Sequence, residues 1–249
     1  WLQRCKSWQE KYPVVLPEYW KGQYVNNYVL VDVLSEVMTD DDLLIPGSSG
    51  ACSEVTMQAF KVKKGQRIFN SEGLGPMGFG IAASIGGCVA SGRKRTICLD
   101  GDGGFYMNVQ ELEVVKRLNL PIKYFVLNNQ GYVSIRSTQK SYFEGRLVAS
   151  DEESGLTLPD TKKIAEAFGI PFFRIENHEN IEQNVKEVLD AKGPTICEVV
   201  LSYEHVTAPK LSSYQKDDGS FVSKPLEDLA PFLEREEFKA NMIVAPIEE

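Results

Sequence analysis

Histidine is nearly absent from this 249-residue chain, and no two of its five cysteines form a CxxC pair. His178 and His205 stand alone, and Cys5, Cys52, Cys88, Cys98 and Cys197 are odd in number and widely spaced. That excludes zinc ligation and a disulfide framework, and it points to free thiols in a reducing cytoplasm. Clustered positive charge is also missing. Lys and Arg total 27 against 35 Asp and Glu, for a net charge of −8. A chain of this balance is not built to neutralise phosphate backbones, so no nucleic-acid partner is expected. The one basic run, Arg93-Lys94-Arg95, reads as a solvated turn. No apolar run approaches the ~20 residues that span a bilayer. The most apolar stretch, around Met77 to Ala90, is rich in Gly and Ala, and no signal peptide is visible, so no membrane partner is expected either. Repeats and low-complexity tracts are lacking. The first residue is Trp1, not Met, which suggests a piece of a longer polypeptide.

Hydrophobic residues make up 43% and charged residues 25%, enough for the core of one large α/β domain. Residues 1–20, with Pro13 and Pro17, read as a linker from an upstream domain. Residues 21–204 alternate between two patterns. Short apolar runs predict strands at 43–46, 66–70, 96–99, 122–127, 172–175 and 195–201. Helical spacing predicts helices at 25–38, 52–60, 79–91, 109–118, 161–168 and 181–189. Such alternation builds a mainly parallel sheet covered by helices on both faces. Residues 205–249 read as a C-terminal arm with a weakly helical piece at 226–233.

In parallel sheets, ligands sit beyond the carboxyl ends of the strands. Two such loops stand out. One reads Asp100-Gly101-Asp102-Gly103-Gly104, where glycines allow close backbone approach and a helix N-terminus follows. The other reads Leu127-Asn128-Asn129-Gln130-Gly131. One helix and one strand fit between Asp102 and Asn129, so both loops emerge at the same sheet edge. An acid, an amide oxygen and a backbone carbonyl would then offer hard oxygen ligands of the kind magnesium prefers. Asp-Gly turns are common, and an ordinary turn explains either loop alone.

Gly101-Asp102-Gly103, followed by 24 residues and then Asn128-Asn129, resembles the signature of thiamine-diphosphate enzymes. Gly73-Leu74-Gly75-Pro76-Met77-Gly78-Phe79-Gly80 resembles the corresponding stretch of acetolactate synthases, and the similarity runs from about Tyr24 to Ser202. The resemblance implies a three-layer α/β domain that holds the diphosphate side of the cofactor. Asp102 and Asn129 would bind magnesium through their side chains, and Gly131 through its carbonyl. Gly103 and Gly104 would meet the diphosphate through backbone N–H groups. Gly50, Ala51 and Cys52 fall where the family has a second diphosphate loop. Gly75 and Met77 would meet the aminopyrimidine ring, with Met77 as an apolar wedge that keeps the cofactor bent. Gly101 and Tyr132 complete the implied contact set.

The same resemblance implies decarboxylation of a 2-keto acid such as pyruvate and transfer of the two-carbon unit to an acceptor carbonyl. Its further implications are a homodimer or homotetramer, and FAD in a middle domain of the same enzyme. The activating Glu would come from a separate pyrimidine-binding domain, so no catalytic acid or base is assigned here and the chain alone is expected to be inactive. Glu72 and Glu111 do not match that Glu by position. Three departures accompany the likeness: Ala51-Cys52 replaces the usual Gln-His, Gly104 replaces a frequent Ser, and Thr138 stands where a pocket Trp is usual. The last motivates an alternative, a keto-sugar acceptor. A non-catalytic cofactor-binding homologue is the other alternative.

Overall fold

The computed structural model describes residues 1–48, 50–71, 73–205 and 207–246. The chain divides into two compact units, Trp1–His205 and Val206–Glu249.

In the first unit, six strands form one all-parallel sheet among the described residues. They are β1 (Leu43–Pro46), β2 (Arg67–Ile68), β3 (Thr96–Gly101), β4 (Ile122–Asn128), β5 (Phe172–Ile175) and β6 (Thr195–Val200), in the order β2-β1-β3-β4-β6-β5. The expected α/β class and parallel sheet are what the chain adopts. Alternation along the strands separates two cores. Ile97, Leu99, Phe125, Leu127, Cys197 and Val199 face one layer of helices: α2 (Asn27–Val37), α3 (Val55–Ala59) and α9 (Ile181–Asp190). Cys98, Ile122, Tyr124, Val126 and Ile196 face the other: α4 (Phe79–Ala90), α5 (Asp102–Phe105), α6 (Leu112–Arg117) and α8 (Thr161–Ala167). Helix, sheet and helix therefore make three layers.

Local chemistry sets the helix ends. The Asn26 side chain accepts the Tyr28 N–H at 2.9 Å, and the Asp160 side chain accepts that of Lys163 at 2.9 Å, each satisfying a donor that a first helical turn leaves free. Ile181, Val185, Val188 and Leu189 give α9 its buried stripe.

Several boundaries differ from the sequence expectation. Strand β2 has only two residues. The helix expected at 109–118 is divided between a 3-10 stretch at Tyr106–Glu111 and α6, and just before it Asn108 leaves helical geometry and donates to the Gly78 carbonyl at 2.9 Å. Residues 1–20 contain α1 (Leu2–Lys11), which buries none of its side chains, and a 3-10 turn that begins at Pro17. Helix α7 (Val133–Tyr142) was not expected.

In the second unit, β7 (Ser213–Gln215) and β8 (Phe221–Ser223) pair as an antiparallel hairpin, and α10 covers Arg235–Asn241. The helical piece expected at 226–233 is irregular instead. Pro225 and Pro231 each lack a backbone donor there, and the Asp228 carboxylate is held by Arg235 at 2.8 Å. No described helix is long and apolar enough to cross a membrane.

Candidate functional site

The strand order creates a switch point. From β1 the chain crosses outward to β2, whereas from β3 it crosses the opposite way to β4. The loops after β1 and β3 therefore diverge and leave a crevice at the carboxyl edge of the sheet. A cavity of about 710 Å³ opens there. It is walled by Gly47, Ser48 and Gly50 after β1, Gly101 to Gly104 at the end of β3, Asn129 and Gly131 to Ile135 after β4, and Gly73, Leu74, Gly75 and Met77 before α4.

Gly50, Gly75, Met77, Gly101, Asp102, Gly103, Gly104, Asn129, Gly131 and Tyr132 thus share one cavity. Ala51 and Cys52 do not line it. They lie buried in a π-helical turn (Gly50–Glu54), and the Ala51 carbonyl accepts the Asn27 side-chain amide. Apolar side chains at these two positions pack into the core, so of residues 50–52 only Gly50 lines the cavity. Thr138 is exposed, off the cavity wall, and bonded to the Ser134 carbonyl of its own helix at 3.1 Å. The first turn of α7 presents Ser134 and Ile135 to the cavity in its place. Glu72 lies outside the described residues, and Glu111 does not line the cavity.

The two strand-end loops are joined through Asp102. Its Oδ1 accepts the Gly103 N–H at 2.8 Å, and its Oδ2 accepts the Gly131 N–H at 3.0 Å across 29 positions of sequence. Burial raises the Asp102 pKa to about 6, against the opposing effect of N–H groups from Gly131, Gly103 and Asn129 and of the Arg136 charge. The neighbouring asparagines, the last residue of β4 and the first after it, divide the work. The Asn128 amide turns to Glu198 Oε1 on β6 at 2.8 Å. Asn129 is 2% exposed, and its Oδ1 has no hydrogen-bond partner among the described residues. A buried amide oxygen without a donor is costly unless something else meets it. An oxygen-seeking cation would do so, and it would also favour the ionised form of Asp102. The residues present therefore fit a magnesium ion.

Glycines shape the cavity floor. A Cβ on Gly103 would collide with the Tyr132 ring and lie 3.2 Å from Met77 Cε, so this glycine lets the two side chains close over the loop. Asp100, one residue before the turn, had drawn no expectation of its own. It is buried, with Gly47, Gly80 and Gly104 packed against its carboxyl group. Burial chiefly pushes it up to about 7, with the Asp102 charge adding to the rise. The small residues at 47, 80 and 104 are the only sequence trace of that cage. A second cavity, of about 820 Å³, shares Asp102 and Gly131. Another buried acid on its wall, Glu198, is already met by Asn128, by Thr161 at 3.0 Å and by Arg174 at 3.3 Å. No three His, Cys, Asp or Glu side chains converge on a metal position among the described residues.

The family profile described as "Thiamine pyrophosphate enzyme, C-terminal TPP binding domain" matches residues 48–199, from the loop after β1 through β6. The chain belongs to the thiamine pyrophosphate enzymes. Within them it is acetolactate synthase-like. This thiamine pyrophosphate-binding domain is 31% identical over 209 residues to the mitochondrial acetolactate synthase of Schizosaccharomyces pombe, covering 83% of the chain and 31% of that protein. It is 32% identical over 201 residues to the acetolactate synthase large subunit of Porphyra purpurea, covering 80% and 33%. Against the chloroplastic acetolactate synthase 2 of Nicotiana tabacum it is 29% identical over 217 residues, covering 86% and 32%. The chain spans about a third of the length of these relatives.

Proposed function

We propose that this domain binds thiamine diphosphate through a magnesium ion and serves an enzyme that decarboxylates a 2-keto acid and ligates the two-carbon unit to an acceptor carbonyl. One observation carries the metal reading: Asn129, whose buried Oδ1 has no hydrogen-bond partner among the described residues, lines the same cavity as Asp102. Asp102 and Asn129 would hold the ion by their side chains and Gly131 by its carbonyl. Gly103 and Gly104 would turn backbone N–H groups to the diphosphate, with Gly50 lining the same cavity. Gly75, Met77, Gly101 and Tyr132 would enclose the rest. When bound, the cofactor supplies the electron sink for decarboxylation, and this chain supplies position, charge and exclusion of water. The activating acid, any FAD and the partner subunit of a homodimer or homotetramer belong to the remainder of the enzyme in this reading, so the chain alone is inactive toward pyruvate. A cytoplasmic location accords with five cysteines that form no disulfide, although two of the relatives carry mitochondrial or chloroplastic names.

Calorimetric titration with thiamine diphosphate, with and without Mg2+, tests the site. Binding should require the metal, and Asp102→Ala should abolish it. Unchanged affinity in that variant refutes the assignment.

The acceptor has a second reading. Ser53, Glu54, Ser71 and Ser134 bring polar groups to the cavity beside Met57, Leu74 and Ile135, and the bulky Trp usual in the family is replaced by an exposed Thr138. The four polar residues on that wall, with the family's Trp absent from the chain at position 138, motivate a hydroxyl-rich keto-sugar acceptor. Rapid acetolactate formation from pyruvate alone by the whole enzyme would exclude it. A domain that binds the cofactor without any turnover by the whole enzyme would mark a non-catalytic homologue.

A further inference from the structure

Arg136 is 2% exposed, and among the described residues its guanidinium donates to four backbone carbonyls. One terminal nitrogen donates to Gln130 and Ser150 at 3.2 Å each, and the other to Asn129 at 2.9 Å and Tyr203 at 3.1 Å. The guanidinium carbon also lies 4.0 Å from the centre of the Tyr203 ring. Burying a cation is costly, and here carbonyl dipoles and a ring face offset the lost water. The fork draws together the turn after β4, the loop after α7 and the segment after β6. The Ser150 carbonyl is shared, since it also accepts the Tyr132 N–H at 2.9 Å.

The turn held in this way is one the chain would not keep unaided. Gln130 sits at φ +61° and Gly131 at φ +127°. The first is a left-handed conformation uncommon for a residue with a side chain, and such turns persist where their surroundings fix them. A Cβ at Gly131 would meet both the Ser150 carbonyl and the Arg136 fork, so the packing admits only glycine. The residues on either side of Gln130 are the two that the metal reading places against Asp102.

We propose that Arg136 is a positioning residue for the divalent-cation site: by gripping the carbonyls of Asn129 and Gln130, it holds the left-handed turn that seats Asn129 and Gly131 beside Asp102. This rests on the metal reading above. Arg136 touches neither metal nor substrate in this role and acts through the turn. A Lys at this position keeps the charge but cannot reproduce the planar fork.

Charge and geometry predict opposite signs, which makes the proposal testable. By Coulomb's law alone, removing a nearby positive charge should tighten binding of a cation. Loss of the grip should weaken it, by about tenfold or more, the scale on which outer partners tune metal sites. The measurement is Mn2+ binding by paramagnetic resonance on the full chain with thiamine diphosphate, for wild type, Arg136→Gln and Arg136→Lys, alongside melting of each protein without ligands. Weaker Mn2+ binding in both folded variants, with a smaller preference for Mg2+ over the larger and less exacting Ca2+, supports the proposal. A role confined to overall stability would shift the melting temperature and leave that preference unchanged, which overturns it. Equal or tighter Mn2+ binding in Arg136→Gln also overturns it. Should the Gln variant fail to fold, the Lys variant alone decides by the same criteria. Absence of metal-dependent binding in the wild type would instead fell the metal reading itself.

Discussion

Gly103 leaves no room for even a methyl group beneath Tyr132, with Met77 alongside. Gly103→Ala should therefore push the ring aside, cost ~1–3 kcal/mol of stability by overpacking and weaken thiamine diphosphate binding. Denaturant unfolding and calorimetry together check this, and a variant with wild-type values in both would contradict the packing described. A second single-residue effect lies away from the cavity. His178 Nε2 accepts the Asn26 N–H at 2.8 Å, and burial lowers its pKa below the ordinary 6.5. The neutral ring is thus the form the fold favours. Stability from this contact is complete above pH ~6.5 and is lost as pH falls through the lower folded value. The Trp20 ring lies 6.0 Å from the imidazole and should report the change. Tryptophan emission is expected to titrate below pH ~6.5 in the wild type and to stay flat there in His178→Gln, which keeps an acceptor but cannot titrate. The same titration in both proteins would refute this.

Among the elements, the end of β4 has the greatest consequence for the cavity. Asn128 faces β6 through Glu198 and also accepts the Gln130 N–H at 3.1 Å, so one side chain ties a strand pair and the turn that follows. Asn128→Ala leaves that donor and the Glu198 carboxylate short of a partner. The expected cost is ~1–3 kcal/mol, with faster amide exchange at 129–132 on hydrogen-exchange mass spectrometry. Unchanged exchange there would show that the turn does not depend on Asn128. Helix α7 begins five residues later and escapes the sequence pattern for a physical reason. Only Arg136 in it is buried, so no apolar stripe repeats at helical spacing. Strand β2 was expected to be longer because residues 66–70 satisfy a composition rule, yet only Arg67 and Ile68 pair with β1.

Across the whole molecule, both hydrophobic clusters draw their buried residues from between Val25 and Leu201. The unit from Trp1 to His205 therefore contains its own core. A chain ended after His205 is expected to unfold cooperatively, with helical circular dichroism retained and metal-dependent binding of thiamine diphosphate within about threefold of the full chain, the scale on which a contact is worth less than ~1 kcal/mol. Loss of cooperative unfolding would show that the sheet relies on residues 206–249.

The sequence alone determined the α/β class, most strand positions and the two glycine-containing loops at one sheet edge, because period, turn chemistry and strand-to-strand spacing are properties of neighbouring residues. It also held the motif spacing through which the family can be recognised. Tertiary structure decided which side chains those loops share. The strand order put the turn after β1 opposite the turn after β3, sent Ala51 and Cys52 into the core, and left Thr138 outside. It also buried Arg136 among carbonyls from three segments and enclosed Asp100 between glycines more than fifty positions apart in sequence. Those partners meet only after the crossovers have closed, so no local pattern in the chain encodes them.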